Sequence, residues 1–225
     1  MLAEGGPLAK RYPSDIAPFA AVSDDSIEAG AALRGLVPAD APVILFAPGP
    51  IAAPEGLEAT VLGSMHQMVA TETLDQLRID DVGVLPLGAA DVPDMQRLTA
   101  LTRPGPFGPR TYLLGRYIGI RVAGELVAMA GERLRLPGYT EISAVCVHPD
   151  HRRKGYAQGL IGELVRDLTR QGITPFLHVI SGNHPAIALY EQLRFTTRRL
   201  LYATAVTRAR ADNVRSPGPA AFKFY

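Results

Sequence analysis

The run from Glu141 to Ala157, Glu-Ile-Ser-Ala-Val-Cys-Val-His-Pro-Asp-His-Arg-Arg-Lys-Gly-Tyr-Ala, constrains this chain more than any other segment. It reads as an apolar strand, Ile142 to Val147, then a polar turn, His148 to Lys154, then a helix opening near Gly155. A strand that feeds a helix through a basic, glycine-bearing turn is an anion site. The first amides of a helix have no intrahelical partner, and the macrodipole places partial positive charge there. Gly155 has no Cβ to hold a phosphate off its backbone. Arg152, Arg153 and Lys154 add charge around the same point.

The following helix is signalled by Ala157, Leu160, Ile161, Leu164, Val165 and Leu168, which recur on one helical face, and by Gly172 as its stop. A strand is expected over Pro175 to Ile180. Asn183 then caps a short helix with Pro185 in its first turn and Ala186, Leu189, Tyr190 and Leu193 on its apolar face. Strand, helix, strand implies a right-handed crossover between two neighbouring strands of one sheet.

These blocks resemble the GNAT superfamily of N-acetyltransferases. The acyl-CoA signature of that family, Arg/Gln-x-x-Gly-x-Gly/Ala, is matched by Arg152-Arg153-Lys154-Gly155-Tyr156-Ala157. Val145-Cys146-Val147-His148-Pro149 precedes it. Asn183-His184-Pro185-Ala186-Ile187-Ala188-Leu189-Tyr190, followed by Phe195, matches the later block. The hexapeptide alone is a weak signal, and the two blocks at this separation are a strong one. The resemblance covers roughly residues 82 to 206. Arg194 departs from it, standing where the family has glycine at a turn.

The resemblance implies a role for each matched residue. Backbone groups of Val145 and Val147 pair with the pantetheine arm of acetyl-CoA, and the Val145 amide reaches the thioester oxygen. The amides of Arg152 to Ala157 hold the pyrophosphate. Asn183 bonds the pantetheine from the far side of a gap between two strands. Tyr190 donates a proton to the departing thiolate. Glu141, fourteen residues before Gly155, matches the spacing of the general base in the histone-acetylating branch.

Acyl transfer from a thioester needs a neutral amine, and a lysine-like amine has a pKa near ~10.4, so a group must take its proton. On a strand of period two, Glu141, Ser143, Val145 and Val147 share one face, which puts the carboxylate beside the pantetheine positions. A plainer reading makes Glu141 a solvated strand-end carboxylate, Tyr190 a core aromatic and the basic run a solvated loop. Cys146 reads as a small buried hydrophobe and His178 as a satisfied core histidine rather than a catalyst. No metal is suggested.

Hydrophobic content of 47% and a formal charge of +1 describe an ordinary globular protein and give no support for nucleic acid as a partner. One cysteine fits a reducing compartment. No signal peptide or membrane-crossing apolar run is evident, so a cytoplasmic protein is expected. Oligomeric state is open.

The 225 residues read as three parts. Residues 1–80 hold a helix at Ser26 to Leu36, strands at Pro42 to Phe46 and around Ala59 to Leu62, and a mixed segment to Ile79, with no acyl-CoA turn. They resemble the reduced N-terminal half of glycine N-acyltransferase-like members. Residues 81–206 form the catalytic domain: a strand over Val82 to Leu87, a helix from an Asp91 cap to Leu101, and a turn-rich loop from Thr102 to Arg110. Strands follow at Leu113 to Val122, Glu125 to Leu134 and Tyr139 to Val147, with Ala123-Gly124 as a hairpin turn. In that loop Phe107 and Arg110 are candidate acceptor contacts. Residues 207–225 are a polar tail.

The fold class expected is α/β, a mixed and mostly antiparallel sheet flanked by helices. The expected activity is transfer of an acetyl or other short acyl group from acyl-CoA to a primary amine. The alternative is a non-catalytic acyl-CoA-binding or sensing module, which does not need Glu141 and Tyr190. A nucleotide-binding protein of another fold is disfavoured by the absence of Gly-x-x-x-x-Gly-Lys-Ser/Thr and of Gly-x-Gly-x-x-Gly.

Overall fold

The computed structural model describes residues 2–71 and 83–209. Parts of the expected segment before Ile79, the residue Val82 and most of the expected tail lie outside these. Eight strands hydrogen-bond in one sheet, mostly antiparallel and accompanied by four helices, in the order β4-β11-β5-β10-β9-β8-β7-β6. Among the described residues the chain divides into two compact units, 2–65 with 200–209, and 66–71 with 83–199.

In the first unit, β1 (Glu4–Gly5), β2 (Ala9–Arg11) and β3 (Ala20–Val22) form a small antiparallel sheet that the sequence did not signal. Helix α1 (Ile27–Leu36) follows, with the Ser26 hydroxyl accepting the Ala29 amide as its cap. Strand β4 (Val43–Ala47) pairs antiparallel with Tyr202 to Val206 of β11 (Phe195–Arg208). Leu33, Val37, Val43, Leu45, Leu57 and Val206 close the core of this unit. Strand β5 (Leu57–Ala70) runs far past the expected Leu62.

In the second unit α3 (Tyr156–Arg170) and β10 (Thr174–Ile180) stand where the periodicity put them. Leu160, Ile161, Leu164, Val165 and Leu168 are each at most 2% exposed. Gly172, at φ 72°, ends α3: its amide bonds Thr169 O and the Ile173 amide bonds Leu168 O, the paired bonds of a left-handed glycine stop. β10 lies parallel to β9 (Tyr139–Val147), as the crossover rule requires.

On the other side of β9 come β8 (Glu125–Leu136), β7 (Tyr117–Val122) and β6 (Leu85–Leu87), all antiparallel. Ala123 and Gly124 form the two-residue turn, both at positive φ as a type I′ turn demands. The expected strand start at Leu113 is wrong: Thr111–Leu114 is a single 3-10 turn, and the strand begins at Tyr117. Helix α2 (Val92–Thr102) starts at Asp91, but the carboxylate does not bond its first amides. It accepts the Gly88 amide at 2.9 Å and Arg121 Nη2 at 2.7 Å.

The two faces of this part of the sheet are covered by different helices. Ile142, Val145, Val147 and Leu177 pack with the apolar side of α3. Cys146, Ala144, Met129 and Tyr117 pack with Met95 and Leu98 of α2. Tyr117 lies flat against Gly131: a Cβ there would stand 2.3 Å from its Cδ1. With Tyr117 2% exposed, the ring has no room to retreat. Gly131→Ala is therefore expected to destabilise the fold by roughly 1–3 kcal/mol or more, read as a lower thermal midpoint.

Candidate active site

The turn ahead of α3 is built for an anion. Arg153 and Gly155 both take left-handed backbone, at φ 62° and 76°. Gly155 is the N-cap of α3, and no side chain bonds the amides of the first turn. Arg152, Arg153, Lys154 and Gly155 are exposed. A Cβ on Gly155 would meet nothing within 4 Å, so space lies open over this backbone. Tyr156 and Ala157 begin the helix half-buried.

Beside this turn the sheet forks. β9 and β10 pair only at Tyr139–Thr174, Thr140–Pro175 and Glu141–Phe176. Past Glu141 they exchange no further pairs among the described residues, which leaves strand edges at Val145 and Val147 facing the gap. Across it, α4 (His184–Gln192) begins at Asn183. The Asn183 side-chain oxygen accepts the Ala186 amide at 3.2 Å, a cap in which its amide nitrogen takes no part. Arg194 takes the left-handed turn itself, at φ 60°, where the family has glycine.

Tyr190 on α4 is 9% exposed and packs with Leu177, Val179 and Phe195. Burial pushes its hydroxyl up to about 12, so it keeps its proton through the neutral range. Burial likewise pushes Cys146 up to about 11, which fits a buried hydrophobe.

The face expected to be shared by Glu141, Val145 and Val147 does not exist. Ala144 sits at φ 53°, and the β8–β9 register slips between Ser143 and Cys146, so β9 carries a bulge. The bulge inverts the alternation. Ile142 joins Val145 and Val147 on the α3 face, and Glu141 falls on the opposite one.

Nor is Glu141 a solvated strand-end group: its side chain is 0% exposed. Arg133 Nε donates to Oε2 at 2.8 Å, and Arg133 Nη2 to Oε1 at 2.5 Å. His178 Nδ1 lies 2.7 Å from the same Oε1. Burial raises the Glu141 carboxyl, but the Arg133 charge and the His178 bond outweigh it and bring it down to about 2. Gln67 Nε2 lies 3.2 Å from His178 Nε2, and Arg198 Nη1 donates to Gln67 Oε1 at 2.7 Å. The row Arg133, Glu141, His178, Gln67, Arg198 thus steps across five adjacent strands, β8 to β11 in sheet order. Sequence reasoning left Arg133, Gln67 and Arg198 unnoticed. Arg133 stands between Glu132 and Leu134 with Arg135 beyond, in a charged end of β8 that reads as a solvated strand end, so nothing local singled it out.

In the expected acceptor loop, the Phe107 ring packs edge-on to Tyr117 at 5.7 Å between centroids, while Arg110 is exposed. Among the described residues no helix is long and apolar enough to cross a membrane.

A family model described as FR47-like protein matches residues 117–205, which contain the fork, the turn and α4. A mycothiol acetyltransferase from Saccharomonospora viridis is 34% identical over 66% of this chain, which spans 47% of that relative's length. A [ribosomal protein bS18]-alanine N-acetyltransferase from Salmonella typhimurium is 30% identical over 53% of this chain and 86% of its own. A crystal structure of a GNAT-family protein from Novosphingobium aromaticivorans superimposes with a TM-score of 0.84, at 36% identity, over 93% of this chain and 92% of that one.

Proposed function

The chain belongs to the GNAT family of acetyltransferases, and from that premise we propose that it moves an acetyl or other short acyl group from acyl-CoA to a primary amine by direct attack on the thioester. The observation that carries the reading is the uncapped, basic N-terminus of α3 set beside the fork between β9 and β10. The pyrophosphate is assigned to the amides from Arg152 to Ala157, with Arg152, Arg153 and Lys154 around it. The pantetheine arm is assigned to the open strand edge at Val145 and Val147, with the Asn183 amide nitrogen opposite. Tyr190 is the acid for the departing thiolate, and Glu141 serves the removal of the amine proton. Phe107 and Arg110 are assigned to the acceptor side.

The two named relatives differ in acceptor, one of them an alanine of a ribosomal protein, so the acceptor class assigned to this chain is the primary amine alone. Holding thioester and amine in attack geometry, with donors on the developing oxyanion, supplies most of the rate in such a reaction.

Residues 1–80 are assigned as a reduced N-terminal half, like that of glycine N-acyltransferase-like members, with no acyl-CoA site. The start of α1 supports this. Its first turn is capped by Ser26 and flanked by Asp24, Asp25 and Glu28, the reverse of the surroundings of α3. One acetyl-CoA per chain is expected.

Calorimetry with acetyl-CoA, and CoA thiol release over a panel of primary amines, test the reading. Tyr190→Phe is expected to lower kcat about 100-fold for the best amine of the panel while leaving the acetyl-CoA Kd unchanged. Unchanged turnover removes Tyr190 from the mechanism. Acetyl-CoA binding with no thiol release for any amine favours a sensing module.

A further inference from the structure

We propose that His178 is the residue that takes the proton from the acceptor amine, and that Glu141 is its positioning residue. This rests on the acyl-transfer reading and deepens it.

Glu141 is poorly placed to be the base itself. It faces away from the Val145 and Val147 side, is wholly buried, and its oxygens already receive Arg133 twice and His178 once. A carboxylate held that far below its ordinary range is a weak proton acceptor. Its surroundings suit another task. A carboxylate on Nδ1 of an imidazole fixes the tautomer and stabilises the imidazolium when the other nitrogen gains a proton.

The bonding pattern assigns the tautomer. Arg198 donates to Gln67 Oε1, so the Gln67 amide nitrogen, a donor only, is the atom turned to His178 Nε2. Nε2 therefore accepts, and Nδ1 carries the hydrogen and donates to Glu141 Oε1 at 2.7 Å. At 3.2 Å the Gln67 N–H occupies the position an ammonium N–H of the acceptor takes when it displaces that amide. Among the described residues, Glu141 on β9, Arg133 on β8 behind it, and Arg198 on β11 behind Gln67 of β5 are charged or titratable groups near the ring. Phe176, its own-strand neighbour, meets it edge-on at 5.6 Å.

The placement suits the reaction. Glu141 is the last β9 residue paired to β10, so the dyad sits where the fork opens. His178 alternates with Leu177 and Val179, which pack with Tyr190, so base and acid approach β10 from opposite faces. The ammonium gives one proton to His178 Nε2. The freed nitrogen lone pair forms the N–C bond, and the C–S bond breaks. Sulfur takes the Tyr190 hydroxyl proton, and the second N–H proton of the adduct restores that hydroxyl. His178 then returns its proton to solvent. The sum is amide, CoA thiol and one proton.

His178→Asn keeps a donor toward Glu141 but has no basic nitrogen. The probe is a peptide beginning with alanine, measured with acetyl-CoA across pH 5–9. For wild type, kcat/KM is expected to show an acid limb. His178→Asn is expected to lose this limb and about 100-fold of kcat/KM at pH 7, with acetyl-CoA affinity unchanged. Glu141→Gln is expected to lower kcat/KM at pH 7 with acetyl-CoA affinity unchanged, because the carboxylate that stabilises the ring as it gains the proton is gone. Nitrogen NMR of the imidazole is expected to show Nδ1 protonated and Nε2 bare in wild type. An Nε2–H tautomer, or a His178→Asn enzyme with wild-type kcat/KM and acid limb, overturns the proposal. Failure of wild type to bind acetyl-CoA overturns the acyl-transfer reading instead.

Discussion

Glu141→Gln is expected to cost this protein roughly 3–5 kcal/mol of stability, more than any surface change. The amide preserves the shape of the side chain and one acceptor but removes the carboxylate to which Arg133, whose side chain is 10% exposed, donates through both Nε and Nη2. Removing one partner of a buried ion pair is costly because the other charge stays behind in a poor solvent. The same pairing sets the acid stability. Against burial, the Arg133 charge and the His178 bond bring the Glu141 carboxyl down to about 2, from 4.5 for a free group, so the folded state holds the ionised form more tightly. Its contribution, a few kcal/mol, is complete above pH 4.5 and is lost as pH falls toward 2. Urea titrations at pH 7 and pH 3 should show wild type losing stability between the two. Glu141→Gln should lose much less, because the substituted position no longer titrates. Equal acid losses in the two proteins would show that the ion pair is not what the fold draws on.

What could be read from the residues divides along the line between local and distant chemistry. The turn, α3 with its glycine stop, the Asn183 cap and the start of β10 depend on neighbours within a few positions, and each stands where periodicity and capping put it. Thr111 to Leu114 went wrong because an apolar run after a proline-rich loop looks the same whether it opens a strand or closes a 3-10 turn. The β9 face assignment failed at one residue. A strand pattern assumes unbroken alternation, and nothing in Ser-Ala-Val marks Ala144 for φ 53°. The dyad was invisible for a third reason. His178 lies 37 residues from Glu141 and 111 from Gln67, and only strand order brings them side by side. A histidine in an apolar strand is ordinarily a satisfied core group. Here its partners, a carboxylate at one nitrogen and an amide at the other, stand on the two neighbouring strands, where no local pattern reveals them.

Gly155→Asp is expected to weaken acetyl-CoA binding by at least about 100-fold while leaving the fold intact. The position is left-handed at φ 76°, and a Cβ there meets nothing within 4 Å, so the added side chain has room. Asp and Asn are the side chains that tolerate this conformation best, and a carboxylate at the start of α3 interacts favourably with the helix dipole. Stability should therefore change by less than about 1 kcal/mol. Binding is another matter. A carboxylate about 4 Å from one phosphate charge is worth roughly 4 kcal/mol of repulsion near a protein surface, and each 1.4 kcal/mol is a factor of ten. Gly155→Asn separates charge from shape: it adds nearly the same bulk and strain with no charge, and should keep most of the affinity. The gap between the two variants should shrink as salt is raised from 0.05 to 0.5 M, because screening weakens the repulsion. Calorimetry on both variants, with thermal midpoints alongside, reads these outcomes. Equal losses for Asn and Asp would mean that backbone shape rather than charge governs the turn. Full affinity in a folded Gly155→Asp protein would place the pyrophosphate somewhere other than the start of α3.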